Sequence, residues 1–182
     1  MGTIPTWTCA PYQTETRPTF GQQIAWGESN AIVFANSVIG ARTERYPDMF
    51  DVCCAITGRA PAIGLHLTKN RAGKILLKLK DIPEALQTGD DFYPVLGHYL
   101  GKITLDRVAV IDGMSIVPND DQLKALGAAA ASSGAVALFH MVGITPEAPT
   151  TEAAFQGNMP EETIIVSMDI LRQSRRELTH AD

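Results

Sequence analysis

Apolar and polar positions alternate in two different rhythms along this chain. From Asp106 onward the runs "RVAVIDG", "AVALFHMVG" and "TIIVSMD" are short, β-branched or apolar, and each leads into a segment with helical spacing or helix caps. Asn119 with Gln122 three residues on predicts a capping box, Asp169 stands before "ILRQSRREL" as a helix start, and within the Ala-rich run "ALGAAAASSGAVAL" Gly134 follows the helical part where a stop is expected. Repeated strand-helix order predicts parallel pairing, with functional loops at the carboxyl ends of the strands.

The first half is less regular. "QQIAW" reads as a strand, followed by a helix whose Ala31, Ile32, Ala35, Val38 and Ile39 keep the three-to-four spacing until Gly40. Asp48 opens a second helix, "MFDVCCAIT", ended by Gly58. Beyond it "AIGLHL" and "KILLKLK" read as strands, and "IPEAL" and "DFYPVLGHYL" as short helices, the latter strained by Pro94 and Gly97. The fold class expected is α/β: a mainly parallel sheet with flanking helices in a single domain over 1–182, with room for two small lobes meeting near 101–106.

Composition narrows the function classes. The chain has 182 residues, 45% of them apolar, enough for one core. No apolar run reaches the roughly 18 residues that suggest a membrane span, and "MGTIPTWTCAPYQ" lacks the basic-then-apolar order of a signal peptide. A cytoplasmic protein is the expectation. The net charge of -5, with Lys and Arg scattered, offers no footprint for nucleic acid. Three cysteines, Cys9, Cys53 and Cys54, make no disulfide framework.

Candidate chemistry concentrates in "WGESNAIVFANSVIGAR". Glu28, Ser29, Asn30, Asn36, Ser37 and Arg42 interrupt what otherwise reads as a buried helix. Either Ser29 or Asn30 caps the helix and the others face solvent, or some line a cleft. Arg42 and Thr43, beyond Gly40, fit an anion clamp or a solvated corner equally, and the planar guanidinium suits a carboxylate or phosphate. Cys9 stands in a loop-like "TCAPYQ", open enough for metal. Cys53 and Cys54, adjacent on an apolar helix, point about 100° apart and read as core or as support behind a site rather than as joint metal ligands. His140 closes an apolar strand on the side where α/β ligands bind, with His66 next in interest; His98 and His180 read as helix-surface residues. No dinucleotide, Walker, nucleophile-elbow or HExxH motif occurs.

The segments "TCAPYQ", "FGQQIAWGESNAIVFANSVIGARTERY", "CCAITGRAPAIGLHL", "ALGAAAASSGAVALFHMVGITPEAPT" and "EAAFQG" together resemble the large-subunit region of aconitase X, in order and over nearly the whole chain. The resemblance implies an iron-dependent hydro-lyase, in which an iron or iron–sulfur centre draws on the departing hydroxyl while a protein base removes the proton beside the carboxylate. It implies that Cys9 is a cluster ligand and that Glu28, Ser29 and Ser37 carry catalysis. Asn30, Asn36, Arg42, Thr43 and His140 would then contact a small hydroxy-acid substrate. That substrate would be cis-3-hydroxy-L-proline, or alternatively mevalonate 5-phosphate; a non-catalytic anion-binding or assembly domain is the other reading.

Family large subunits run roughly twice this length. They carry a "GCPH" or "GSPH" loop with further cysteines and work with a small swivelling subunit, so a central piece with an incomplete ligand set is expected here. Where relatives often read "YGLHL", this chain has Ile63.

Overall fold

The computed structural model describes residues 7–179. A 3-10 turn, Pro11–Gln13, precedes helix α1 (Ser29–Phe34), which runs directly into a π-helical turn, Ala35–Ile39, closed by Gly40 at φ 74°. Helix α2 (Phe50–Thr57) follows, then β1 (Ile75–Leu79), α3 (Glu84–Gln87), α4 (Phe92–Thr104), β2 (Ala109–Asp112), α5 (Asp120–Ser133), β3 (Phe139–Met141), α6 (Thr151–Ala154), β4 (Glu162–Val166) and α7 (Met168–Thr179). The strands are all parallel, in the order β3-β2-β1-β4, as strand-helix alternation predicts.

Side chains alternate across this sheet with period two. Ile75, Leu77, Ala109, Ile111, Phe139 and Met141 enter the main core, shared with Val33 and Phe34 of α1, Leu96 and Leu100 of α4, Leu126 and Ala130 of α5 and Leu171 of α7. Leu76 and Val110 point the other way, into a smaller cluster with Ala148, Ala154 and Phe155. The main core runs unbroken from Ala10 to Leu171 across 101–106.

Helix α4 is longer and less strained than its proline and glycine suggest. Pro94 is its third residue, where the missing N–H leaves no intrahelical bond unmade. Gly97 lets the backbone of α5 approach: a Cβ there would stand 2.2 Å from the Leu126 carbonyl oxygen, and one at Gly134 would stand 2.2 Å from that of Gly101. The capping box at Asn119 forms in both directions, with the Gln122 amide donating to Asn119 Oδ1 at 2.9 Å and the Asn119 amide to Gln122 Oε1 at 3.0 Å. Asp169 is not a cap; α7 begins at Met168, and Asp169 sits in its first turn, accepting from Arg172 at 2.9 Å.

Three expectations from the first half change. "QQIAW" is extended but pairs only through a single bridge, Gln23 with Arg42. "AIGLHL" is not a strand. It forms a 3-10 turn, Gly64–His66, with a second, Thr68–Asn70, directly after it, and Glu44 Oε2 accepts from the Leu65 amide at 3.0 Å. Cys53 and Cys54 are not core: Cys53 is exposed, Cys54 half-buried, and α2 buries none of its residues, with Ile56 72% exposed and Met49, just before the helix, 71% exposed. Apolar spacing states which face wants cover, not whether anything lies on it. His98, expected on a surface, is half-buried between α4 and α7 with Nε2 3.8 Å from Glu177 Oε2. His180 lies outside the described residues. Among those described, no helix is long and apolar enough to cross a membrane.

Candidate functional site

The polar residues of α1 separate into two groups, one at each end. At the amino end Glu28 caps the helix, its Oε1 accepting from the Asn30 amide at 3.2 Å, and Ser29 and Asn30 occupy the half-buried first turn. Beside them lies Tyr12, buried, its ring stacked on Phe34 with centroids 4.0 Å apart. The Tyr12 hydroxyl and Asn30 Oδ1 are both buried without an aligned hydrogen bond. Burial pushes the Tyr12 hydroxyl up to about 12, Cys9 adds to the rise, and the neighbouring Asn30 side chain counters it. Cys9 itself is exposed and free.

This group meets the amino end of α5, whose Asp120 and Asp121 also bear on Tyr12 and whose Asp120 pairs with Arg17 at 3.1 Å. Helix α5 begins just past the carboxyl end of β2, so Cys9, Tyr12 and Glu28 to Asn30 stand at the edge of the sheet where parallel α/β folds bind their ligands.

At the carboxyl end of α1 the side chains serve the fold. The wide π turn places Asn36 and Ser37 side by side in the interior. Asn36 Nδ2 donates to the carbonyls of Thr43 and Ala137 at 3.1 and 2.9 Å, while its Oδ1 accepts from the Thr43 amide at 3.1 Å. Ser37 Oγ accepts from the Phe139 amide at 2.9 Å, which fixes α1 to the start of β3. Ser37 is therefore committed to packing.

Arg42 is not a free clamp. Its Nη1 lies 2.9 Å from Glu147 Oε1, a close ion pair without an aligned hydrogen bond. The same carboxylate takes Arg71, a fully buried arginine that sequence reading passed over. Arg71 sends Nε and Nη2 to Glu147 and the rest of its donors to Asn36 Oδ1, Asn36 O and Leu65 O. A lone "KNRAGK" carries no sign that its arginine will be buried.

His140 lies mid-strand on the smaller-core side. Its Nε2 donates to the Arg71 carbonyl at 2.7 Å, and Nδ1 is buried without a partner. Burial holds its pKa below the usual imidazole value, the Arg71 carbonyl and Glu147 opposing that and Arg71 and Arg42 assisting. Asn36, Ser37, Arg42, Thr43 and His140 thus form one buried network. It is distinct from the Cys9 edge, since seven residues of helix separate Ser29 from Asn36 by about 10 Å. Among the described residues no three His, Cys, Asp or Glu side chains converge as a metal site. Cys9 offers one thiolate, so these residues alone do not make the ligand set of an iron–sulfur cluster.

Two family models cover this chain: the aconitase X first domain matches residues 1–69, and the aconitase X second domain matches residues 73–176. The chain belongs to the aconitase X family. It is 45% identical over its full length to the cis-3-hydroxy-L-proline dehydratase of Pseudomonas aeruginosa, covering 31% of that protein. The enzyme of the same name from Hypocrea jecorina is 44% identical, with 30% of it covered. A phosphomevalonate dehydratase large subunit from Methanocaldococcus jannaschii is 36% identical over 94% of the chain, which covers 42% of it. The holo-form structure of Thermococcus kodakaraensis aconitase X superposes with a TM-score of 0.85 at 36% identity, over 97% of this chain and 43% of that one. The chain therefore spans less than half the length of each of these aconitase X relatives.

Proposed function

We propose that this chain is part of an aconitase X hydro-lyase that dehydrates a small hydroxy acid, cis-3-hydroxy-L-proline before mevalonate 5-phosphate. The observation that carries this reading is full-length identity of 45% to a protein named for the first substrate, against 32% to 41% for the large subunits named for the second. The geometry supports a site at the carboxyl edge of the sheet, where an exposed thiol stands beside two buried polar atoms, the Tyr12 hydroxyl and Asn30 Oδ1, that make no aligned hydrogen bond among the described residues. Unpaired buried groups of this kind cost about 1–3 kcal/mol each, a cost that a bound ligand removes.

On this reading Cys9 contributes one ligand to an iron or iron–sulfur centre, and the remaining ligands come from outside the described residues. The bound centre would supply Lewis acidity toward the departing hydroxyl. Glu28, Ser29 and Asn30 orient the substrate at the end of α1. The Asn36, Ser37, Arg42, Thr43 and His140 network holds that helix in place. The partner is the small swivelling subunit or domain of the family, and free thiols suit a cytoplasmic setting.

Iron and sulfide analysis after anaerobic reconstitution of the chain with the rest of the enzyme tests the assignment. Cys9→Ser should lower iron content and Cys53→Ala should not; equal loss from Cys53→Ala with no effect of Cys9→Ser would reject it. Turnover of cis-3-hydroxy-L-proline and of mevalonate 5-phosphate, measured side by side, decides the substrate. Tight binding of either acid without turnover would favour an anion-binding domain instead.

A further inference from the structure

Arg42 is already paired with Glu147, so the role of anion clamp that its residue type suggested stands open. Another arginine is placed for it. Helix α2 turns Asp51, Cys54, Ala55 and Gly58, spaced i, i+3, i+4 and i+7, toward the extended 23–25 segment, and the gap between them is a cavity of about 270 Å³. Gly58, at φ 63°, ends the helix, and Arg59 follows it onto the same wall. A space of this size falls just below the roughly 300–1,000 Å³ of drug-sized pockets, the scale of a metabolite of a few carbons.

Two opposite charges open on this cavity, Asp51 in the first turn of α2 and Arg59 past its last. About 12 Å of helical rise separates their backbones, and neither makes an ion pair with a described residue. The helix dipole accounts for an acid at one end and a base at the other, but not for both opening unpaired on one small space. Ile24, Ala25, Ala55 and Ala60 contribute apolar wall. Asp51 also ties the cavity to the α1 edge: a Cβ on Gly27 would stand 3.4 Å from Asp51 Oδ2, and Glu28 is the next residue.

We propose that this cavity holds the amino-acid head of a zwitterionic hydroxy acid, with Asp51 taking the ammonium and Arg59 the carboxylate. This rests on the hydro-lyase reading and names the feature by which its substrate is chosen. A cyclic amino acid such as cis-3-hydroxy-L-proline carries its ammonium and carboxylate on one carbon. A single small molecule therefore answers both charges and lays its ring methylenes on Ile24 and the alanines. The guanidinium suits the carboxylate as a two-pronged donor, and the ammonium donates to Asp51 in charge-assisted hydrogen bonds. Mevalonate 5-phosphate has no nitrogen. Its carboxylate and phosphate are both anions, and the Asp51 carboxylate repels whichever enters beside it. Asp51 is thus the specificity-determining residue, and Arg59 is the partner that either acid would use.

Nitrogen-15 NMR titration of the 182-residue chain tests this with two probes of one shape, L-proline and tetrahydrofuran-2-carboxylate, whose ring oxygen replaces the ammonium. L-Proline should shift the amides of residues 23–25 and 51–60, and the oxygen analogue should need a concentration about tenfold higher or more. Asp51→Asn should bring the two probes to within about threefold of each other, and Arg59→Gln should weaken both by about tenfold. Loosened packing would not separate the probes in this way. Thermal melting confirms that each variant is folded; should Asp51→Asn not fold, Asp51→Ser takes its place. In the assembled enzyme the Asp51 variant should raise KM for cis-3-hydroxy-L-proline by about tenfold with kcat less affected. Absence of L-proline shifts at these residues, equal binding of the probes by wild type, a preference kept in the folded Asp51 variant, or an unchanged KM overturns the proposal and leaves the hydro-lyase reading standing. Absence of turnover by the assembled wild type overturns the hydro-lyase reading, while the NMR result decides the binding site by itself.

Discussion

Arg71 and Glu147 meet as a fork against a carboxylate, with Nε 2.8 Å and Nη2 2.5 Å from Oε2 and with Nη1 turned away to Asn36 and Leu65. Every N–H of this guanidinium is used, and the side chain is fully buried. Removing one partner strands the other charge in the interior. Arg71→Ala or Glu147→Ala should therefore cost about 3–5 kcal/mol by urea denaturation. Arg71→Lys should recover only part of this, because an ammonium cannot reproduce the fork. A loss below 1 kcal/mol in Glu147→Ala would show that Arg42 and Arg71 find other partners.

Asn36 should matter more than Ser37. Asn36→Leu leaves the Thr43 amide and the Thr43 and Ala137 carbonyls without their partner and removes an acceptor from Arg71, whereas Ser37→Ala frees only the Phe139 amide. At about 1–3 kcal/mol for each stranded group, Asn36→Leu should cost several kcal/mol and Ser37→Ala about 1–3. Equal melting temperatures for the two variants would contradict this order.

Stability should fall in mildly acidic solution. His66 and His140 both have pKa values held down in the folded chain, chiefly by burial, so the unfolded chain binds protons that the folded one refuses. The stability tied to these groups is fully present above the unfolded value of about 6.5 and is lost as pH falls from there through the folded values. For His140 a second proton would have to enter at Nδ1, where no acceptor waits. Melting temperatures from pH 8 to pH 5 should decline, and His140→Gln should flatten the decline. A flat wild-type profile would refute the linkage.

Gly97→Ala should destabilise even though alanine is the better helix former by about 1 kcal/mol. The new methyl would stand 2.2 Å from the Leu126 carbonyl oxygen and force α4 and α5 apart, at a cost of about 1–3 kcal/mol. A variant as stable as wild type would mean that the two helices separate freely.

The fold was legible in the second half because strand and helix there each bury one face, and the burial writes its period into the sequence. The all-parallel β1 to β4 and the Asn119 box follow from that. In the first half polar side chains, not apolar periodicity, hold the chain. Glu44 sets the turn at Gly64, Gln23 grips His66, and Asn36 anchors Thr43, and none of these contacts leaves a repeat to detect. The candidate site shows the same division. Cys9, Glu28, Ser29 and Asn30 were visible from their residue types, while Arg71 and Glu147 have unremarkable neighbours in sequence.

What the sequence determined by itself was the α/β class, the parallel order of construction and the family wording of its motifs, all properties of local spacing and composition. Only the tertiary structure decided that the polar residues of α1 divide between an open edge and a buried lock, that Arg42 is already paired with Glu147, and that His140 faces the smaller core. The physical reason is that a polar side chain takes its role from the group it meets. Asn36 meets Ala137 and Glu147 meets Arg71 across gaps of 101 and 76 residues, closed by packing rather than by any local preference of the chain.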